Sequence, residues 1–176
     1  MSLPPVLLAR LASAPALGFS GSRSVVPPVL SPVVALAASA SVPVLVGCAG
    51  GVDGYIRTAF VGMSDRLWLF EVEGEGRGAF AARSIRFVNS LWQSQGVLFS
   101  VPSSACPVGL VPSMRSDRCF CGAGSGSWAS LAFAAALGIS CFVFLDSLPA
   151  PAGWGLISLG DGWWWSYPAP SQLSLF

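Results

Sequence analysis

Serine, glycine and arginine hold the chemical possibilities of this chain. Its 176 residues include nine arginines but no lysine and no histidine. Without histidine there is no Ser-His-Asp or Cys-His relay to activate a nucleophile. Three short runs combine glycines with polar donors instead: Gly21-Ser22-Arg23, Gly47-Cys48-Ala49-Gly50-Gly51-Val52-Asp53, and Gly122-Ala123-Gly124-Ser125-Gly126-Ser127. Glycine lets a backbone approach a ligand closely. Free amides and the positive end of a helix favour an anion, and arginine can clamp a phosphate with two hydrogen bonds. The expected ligand is therefore anionic: the phosphate of a nucleotide or nucleic acid.

Single residues within these runs admit two readings each. Asp53 either caps the start of a helix or contacts the ribose or base of a ligand. Arg23 and Arg83 sit at loop mouths, as ligand contacts or as surface ion pairs. The Gly122–Ser127 run falls short of a dinucleotide-binding fingerprint, because Ser127 takes the place of the third glycine and the run comes late in the chain. The order G-x-S-x-G of a hydrolase nucleophile is absent. Cys106, Cys119 and Cys121 do not make a four-ligand zinc pattern and read as small hydrophobic residues. Glu71, Glu73 and Glu75 read as a solvated face.

These runs need elements to position them, and the pattern alternates strand and helix. Strands are expected at Ala16–Phe19, Pro43–Val46, Leu67–Val72, Gly96–Val101 and Ile139–Leu145, with a further short one at Cys119-Phe120. A helix capped by Ser31 with Pro32 in its first turn follows the first strand. A second runs to about Phe60. A third follows the flexible loop Glu73–Gly78 and spans Phe80 to about Trp92, with an apolar stripe of Phe80, Ile85, Val88 and Trp92. A fourth runs from Trp128 to Leu137. Such alternation predicts a mostly parallel sheet with right-handed crossovers and helices on both faces, with ligands outside the carboxyl ends of the strands. Beyond Asp146, Trp154–Leu159 and Trp163–Tyr167 flank a Gly160-Asp161-Gly162 turn and predict a β-hairpin. The run Trp163–Trp165 either packs against an edge strand or forms a surface for a partner, a base or a membrane interface.

The composition is 53% hydrophobic and 10% charged, with a mean hydropathy of +0.68. Ser24–Val52 and Cys119–Leu145 lack any charge for longer than the ~18 residues that signal a spanning helix. Prolines break the first and clustered glycines open the second, so both divide into a helix and a buried strand. Residues Leu3–Leu8 precede Arg10, the reverse of a secretory signal, and read as a loose lead-in. Five cysteines without such a signal predict reduced thiols in the cytoplasm.

In their order, the loops resemble those of the DNA-processing protein A (Smf) family. Gly21-Ser22-Arg23 resembles its GSR element, and Gly47–Asp53 its G-x-A-x-G-[IV]-D element. Phe80-Ala81-Ala82-Arg83 looks like its F-x-x-R segment, and Ser125–Ser130 its S-G-S-x-x-T turn. The likeness spans about Leu17 to Leu145 and extends to the SLOG superfamily, which includes the LOG nucleotide phosphoribohydrolases. Ser84 and Ile85 stand where the first family has asparagine and a second arginine. Ser130 stands where LOG enzymes carry glutamate. The resemblance implies a Rossmann-like fold with its site formed by these loops.

The sequence thus predicts three parts: a lead-in at 1–15, a Rossmann-like α/β nucleotide-binding domain at 16–146, and a Pro/Trp-rich hairpin extension at 147–176. The expected ligand-binding residues are Gly21, Ser22, Arg23, Gly47, Cys48, Gly50, Asp53, Arg83, Gly124, Ser125, Gly126 and Ser127. No catalytic or metal-binding residue and no cofactor is expected. The expected partner is a nucleotide or nucleotide-derived small molecule. Single-stranded nucleic acid is the alternative, for which Arg23, Arg83, Arg86, Arg115 and Arg118 would serve, and an N-glycosidic hydrolase the third reading. A homodimer is a further expectation.

Overall fold

The computed structural model describes residues 2–166. Its strands are β1 (Leu17–Gly21), β2 (Val44–Gly47), β3 (Leu67–Phe70), β4 (Val97–Val101), β5 (Ser140–Phe144), β6 (Leu156–Gly160) and β7 (Trp163–Ser166). The helices are α1 (Pro5–Ser13), α2 (Leu30–Ser39), α3 (Gly51–Ala59), α4 (Gly76–Gln93), α5 (Ser116–Cys119) and α6 (Gly126–Ala136). One seven-stranded sheet has the order β3-β2-β1-β4-β5-β7-β6. The first five strands in that order are parallel, and β7 runs antiparallel to both β5 and β6. The order reverses between β1 and β4, so crossovers leave in opposite directions and a crevice opens there.

Two apolar clusters hold the layers together. On one face, Leu7 and Leu11 of α1, Val33 and Ala37 of α2, and Val52 and Ile56 of α3 pack on Leu17, Phe19, Val46 and Phe99. On the other, Phe87, Val88 and Leu91 of α4 and Trp128, Leu131 and Ala134 of α6 pack on Leu45, Leu98, Cys141 and Val143. Strands β2 and β5 are buried along their whole length, which explains the charge-free runs that contain them. An aromatic ladder crosses four adjacent strands: Phe19 on Phe99 at 5.4 Å, Phe99 on Phe142 at 5.5 Å, and Phe142 on Trp165 at 5.9 Å between ring centroids. These residues are directly paired in the sheet register. No helix among the described residues is long and apolar enough to cross a membrane.

Several local expectations are corrected. The lead-in is not loose: Pro5 opens α1, and Leu7 and Leu11, spaced one turn apart, are buried. Ser31 does not cap α2, which starts from Val29 without a side-chain cap because Leu30 is drawn into the core. The polar loop ends sooner than expected, since α4 already begins at Gly76. Its buried stripe is Ser84, Phe87, Val88 and Leu91, a true i, i+3, i+4, i+7 set, while Phe80 and Trp92 are exposed. Cys119 belongs to the short helix α5 and not to a strand.

The tryptophan run lies within the sheet. Trp163 is buried, Trp164 packs against the α4/α6 cluster, and Trp165 donates its indole N–H to Ser140 Oγ at 2.9 Å. Alternation along β7 thus sends the rings to both faces. Tyr167, expected to end this strand, lies outside the described residues.

Candidate functional site

A cleft of about 980 Å³ lies at the carboxyl ends of β1 and β2, beside the reversal of strand order. Of the expected residues it is lined by Gly21, Ser22, Arg23, Gly47, Asp53, Arg83, Gly124, Ser125, Gly126 and Ser127. Sequence-distant loops therefore meet on one cavity. Cys48 and Gly50 are not among its lining residues. Ala49 between them does line it, while Gly50 is exposed, with the Arg23 carbonyl 3.0 Å from where its Cβ would stand.

The loop after β1 is tied down more than the sequence suggests. The Ser22 amide donates to the Val101 carbonyl, and its hydroxyl accepts from the amides of Ser24 and Val25. Ser22 thus shapes the turn from within, contrary to the free amide expected there. Arg23 projects from this turn and lies over the Phe80 ring, 5.0 Å from its centroid. That contact keeps the guanidinium at the cleft mouth.

The loop after β2 is built around a buried ion pair. Arg83 Nη1 donates to Asp53 Oδ2 at 3.3 Å, and the same oxygen accepts the Ala49 amide at 3.2 Å. Both side chains are buried. Asp53 is the third residue of α3, so its carboxylate lies in the first turn and offsets the positive helix end that a ligand anion would otherwise use. Burial pushes its carboxyl above the ordinary value, against the downward pull of Arg83 and the Ala49 amide. Gly47 is required here, because any Cβ would overlap Arg83 Nη1. Gly51 follows with φ of +54°, and a Cβ there would overlap the Ser22 carbonyl, a position that excludes a side chain.

The start of α6 is different. Ser125 is its N-cap, with its hydroxyl 3.5 Å from the Trp128 amide and 2.9 Å from the Ser127 hydroxyl. The amides of the first turn have no intrahelical acceptor, and no acidic side chain lies in that turn. A Cβ on Gly126 would meet nothing within 4 Å. Gly124, directly before the N-cap, packs against Pro107 and holds the loop in place.

Several lining residues escaped the sequence reading. Arg77 and its flanking Gly76 and Gly78 bring the start of α4 to the cleft. Their signal was present, since Gly74-Glu75-Gly76-Arg77-Gly78 follows a strand as the other glycine runs do. Ser20, Ser84 and Ser130 also line the cavity, and serine inside a helix or strand gives no sequence signal. Cys119 and Cys121 line it while Cys106 does not. Burial raises the Cys119 thiol, which keeps it protonated. Arg86 pairs with Glu73 at 3.0 Å, and Arg115 with Asp117 at 2.7 Å, so both are engaged away from the cleft. No group of three metal-ligating side chains occurs among the described residues.

Fold and cleft define an α/β protein with a cavity of ligand size at the switch point of a mainly parallel sheet. No family model matches the chain, and no match is found among the curated proteins or the solved structures.

Proposed function

We propose that this protein is a Rossmann-like binder of a nucleotide or nucleotide-derived ligand, whose phosphate sits against the start of α6. One observation carries the reading. The open helix start with the Ser125 and Ser127 hydroxyls shares a cleft with Arg23 and Arg77, while the carboxylate lining that cleft is held by Arg83. The cleft potential is therefore positive without any lysine, and first-turn amides suit a phosphate. The order β3-β2-β1-β4-β5 agrees with the first five strands of doubly wound dinucleotide-binding sheets. The resemblance of the loops to DNA-processing protein A and the SLOG proteins points the same way. All five cysteines are free, which fits a reducing compartment such as the cytoplasm.

Single-stranded nucleic acid is a second reading, favoured by the pairing of Arg23 with the exposed Phe80 ring at the mouth. A nucleotide N-glycosidase is disfavoured, since Asp53 is engaged with Arg83 and Ala49, and Ser130 stands at the LOG glutamate position. The test is mass spectrometry of small molecules that co-purify with the protein, followed by calorimetric titration of nucleoside monophosphates. Saturable one-to-one binding is expected. Folded protein that binds no nucleotide at millimolar concentration overturns the reading, and binding of oligonucleotides alone with a steep salt dependence selects the second.

A further inference from the structure

The apolar core between the sheet and the α4/α6 layer ends at the cleft in a layer of serines. On β1 the residues facing that layer are Gly18, where a Cβ would run into Leu91 and Phe87, and then Ser20. On β4 they are Leu98 and then Ser100, and the register pairs Ser20 with Ser100. On α4 the core stripe of Leu91, Val88 and Phe87 arrives at Ser84. On α6 the inward residues Ala134 and Leu131 give way to Ser130 and Ser127. Four elements thus change from apolar to hydroxyl-bearing side chains as they reach the cleft.

Of these hydroxyls only that of Ser127 is bonded among the described residues, to Ser125. Ser84 is 7% exposed and Ser130 3% exposed, both line the cleft, and neither makes a hydrogen bond to any described residue. Exposed Ser13, Ser39 and Thr58 donate back to the carbonyl four residues earlier, as helical hydroxyls commonly do. Ser84 and Ser130 do not. Ser100 Oγ, fully buried behind Ser20, has no partner either. The Ser84 and Ser130 hydroxyls open onto the cleft without a partner among the described residues, so this wall is able to donate to and accept from a polar occupant.

We propose that this serine layer is a subsite for a neutral polyhydroxylated group, in a nucleotide the ribose. The inference rests on the nucleotide reading and adds where the sugar goes. Serine hydroxyls both donate and accept, which matches sugar hydroxyls. They bear no charge, so the phosphate prefers the α6 start and the arginines. They offer no flat apolar face for a base. The sugar therefore enters to the level of Ser20, Ser84 and Ser130, with its phosphate toward Ser125–Ser127.

The test uses ribose 5-phosphate and propyl phosphate as probes, titrated calorimetrically into the wild type and the S84A/S130A double variant. The wild type is expected to bind ribose 5-phosphate about tenfold more tightly, the worth of two neutral hydrogen bonds. In the double variant that preference falls to about twofold or less, while propyl phosphate binds as before. The variant's melting temperature stays level or rises, because unpartnered hydroxyls have been removed. Equal wild-type affinity for both probes overturns the sugar subsite and leaves the phosphate reading standing. A preference unchanged in the double variant, or a fall in its melting temperature, also overturns it. Absence of binding by either probe removes the phosphate site and this subsite together.

Discussion

Asp53 Oδ2 lies 3.3 Å from Arg83 Nη1, and the Cα of Gly47 is packed so close that a methyl group there would overlap both side chains. The pair joins α3 to α4 at the end of β2, and so fixes one wall of the cleft. Gly47→Ala must displace the arginine and should cost about 1–3 kcal/mol, the usual penalty of overpacking. Gly54→Ala in the same loop–helix unit should instead stabilise by about 0.5–1 kcal/mol, since a Cβ there makes only ordinary contacts at 3.7 Å and 3.9 Å. Urea denaturation of the two variants measures the contrast, and equal effects would contradict the close packing at Gly47.

The same pair gives stability a pH dependence. The Asp53 carboxyl is raised above 3.8 in the folded state, with burial as the largest cause. Protonation therefore favours the fold. The stability linked to this group is fully present below pH 3.8 and is lost as pH rises through the higher folded value. Asp53→Asn removes that titration. The melting temperature of the wild type minus that of Asp53→Asn should accordingly be largest in acid and shrink toward neutral pH. Thermal melts of both proteins across pH 3.5–7 (about half-unit steps) check the sign, and a difference that grows with pH would refute it.

At the start of α6 the expectation is separation of binding from folding. Gly126→Asp places a side chain in open space at the first helical position, where a carboxylate is tolerated or favoured by the helix dipole. The melting temperature should hold, while nucleotide binding should fall at least about a hundredfold, because the new charge takes the phosphate position. Calorimetry and melting curves on the same samples decide this. Full affinity in a folded variant would make the turn purely structural.

Arg23 should matter to the ligand more than to the fold. Its contact with Phe80 is at the surface and is worth about 0.5–1 kcal/mol of stability. A charge-assisted bond to phosphate is worth about 1.5–3 kcal/mol, so Arg23→Ala should weaken nucleotide binding by about 10- to 150-fold. Arg115→Ala, whose partner Asp117 is equally exposed, is the control and should leave affinity unchanged. Similar losses in both variants would point to a diffuse charge effect.

Elements with strong local signals were legible in the sequence. The continuous apolar runs of β4 and β5 and the glycine-serine start of α6 are locally encoded, and their convergence follows from the rule that ligands gather at strand carboxyl ends. The finer features depend on tertiary partners. Asp53 is separated from Arg83 by 30 positions, and only folding reveals that a residue readable as a ligand contact is occupied by another. The α4 stripe departs from its apolar pattern because Phe80 and Trp92 are apolar yet exposed, while Ser84 is polar yet buried. Helix α1 has only Leu7 and Leu11 to bury, and so short a pattern is visible only once the sheet offers them a surface.

The insertion of β7 between β5 and β6 also sets an order on the birth of the protein. Parallel strands β1 to β5 are all synthesised before Trp163, yet β5 has only β4 beside it until β7 arrives from beyond β6. A growing chain that stops short of Ser166 therefore presents the open edge of Ser140–Phe144 and the bare face of Phe142, the kind of strand edge on which nascent chains stick to one another. Trp165 closes that edge by pairing with and stacking on Phe142, with Trp164 and Trp163 paired to Val143 and Phe144 beside it, so the edge is covered only once all three tryptophans are in place.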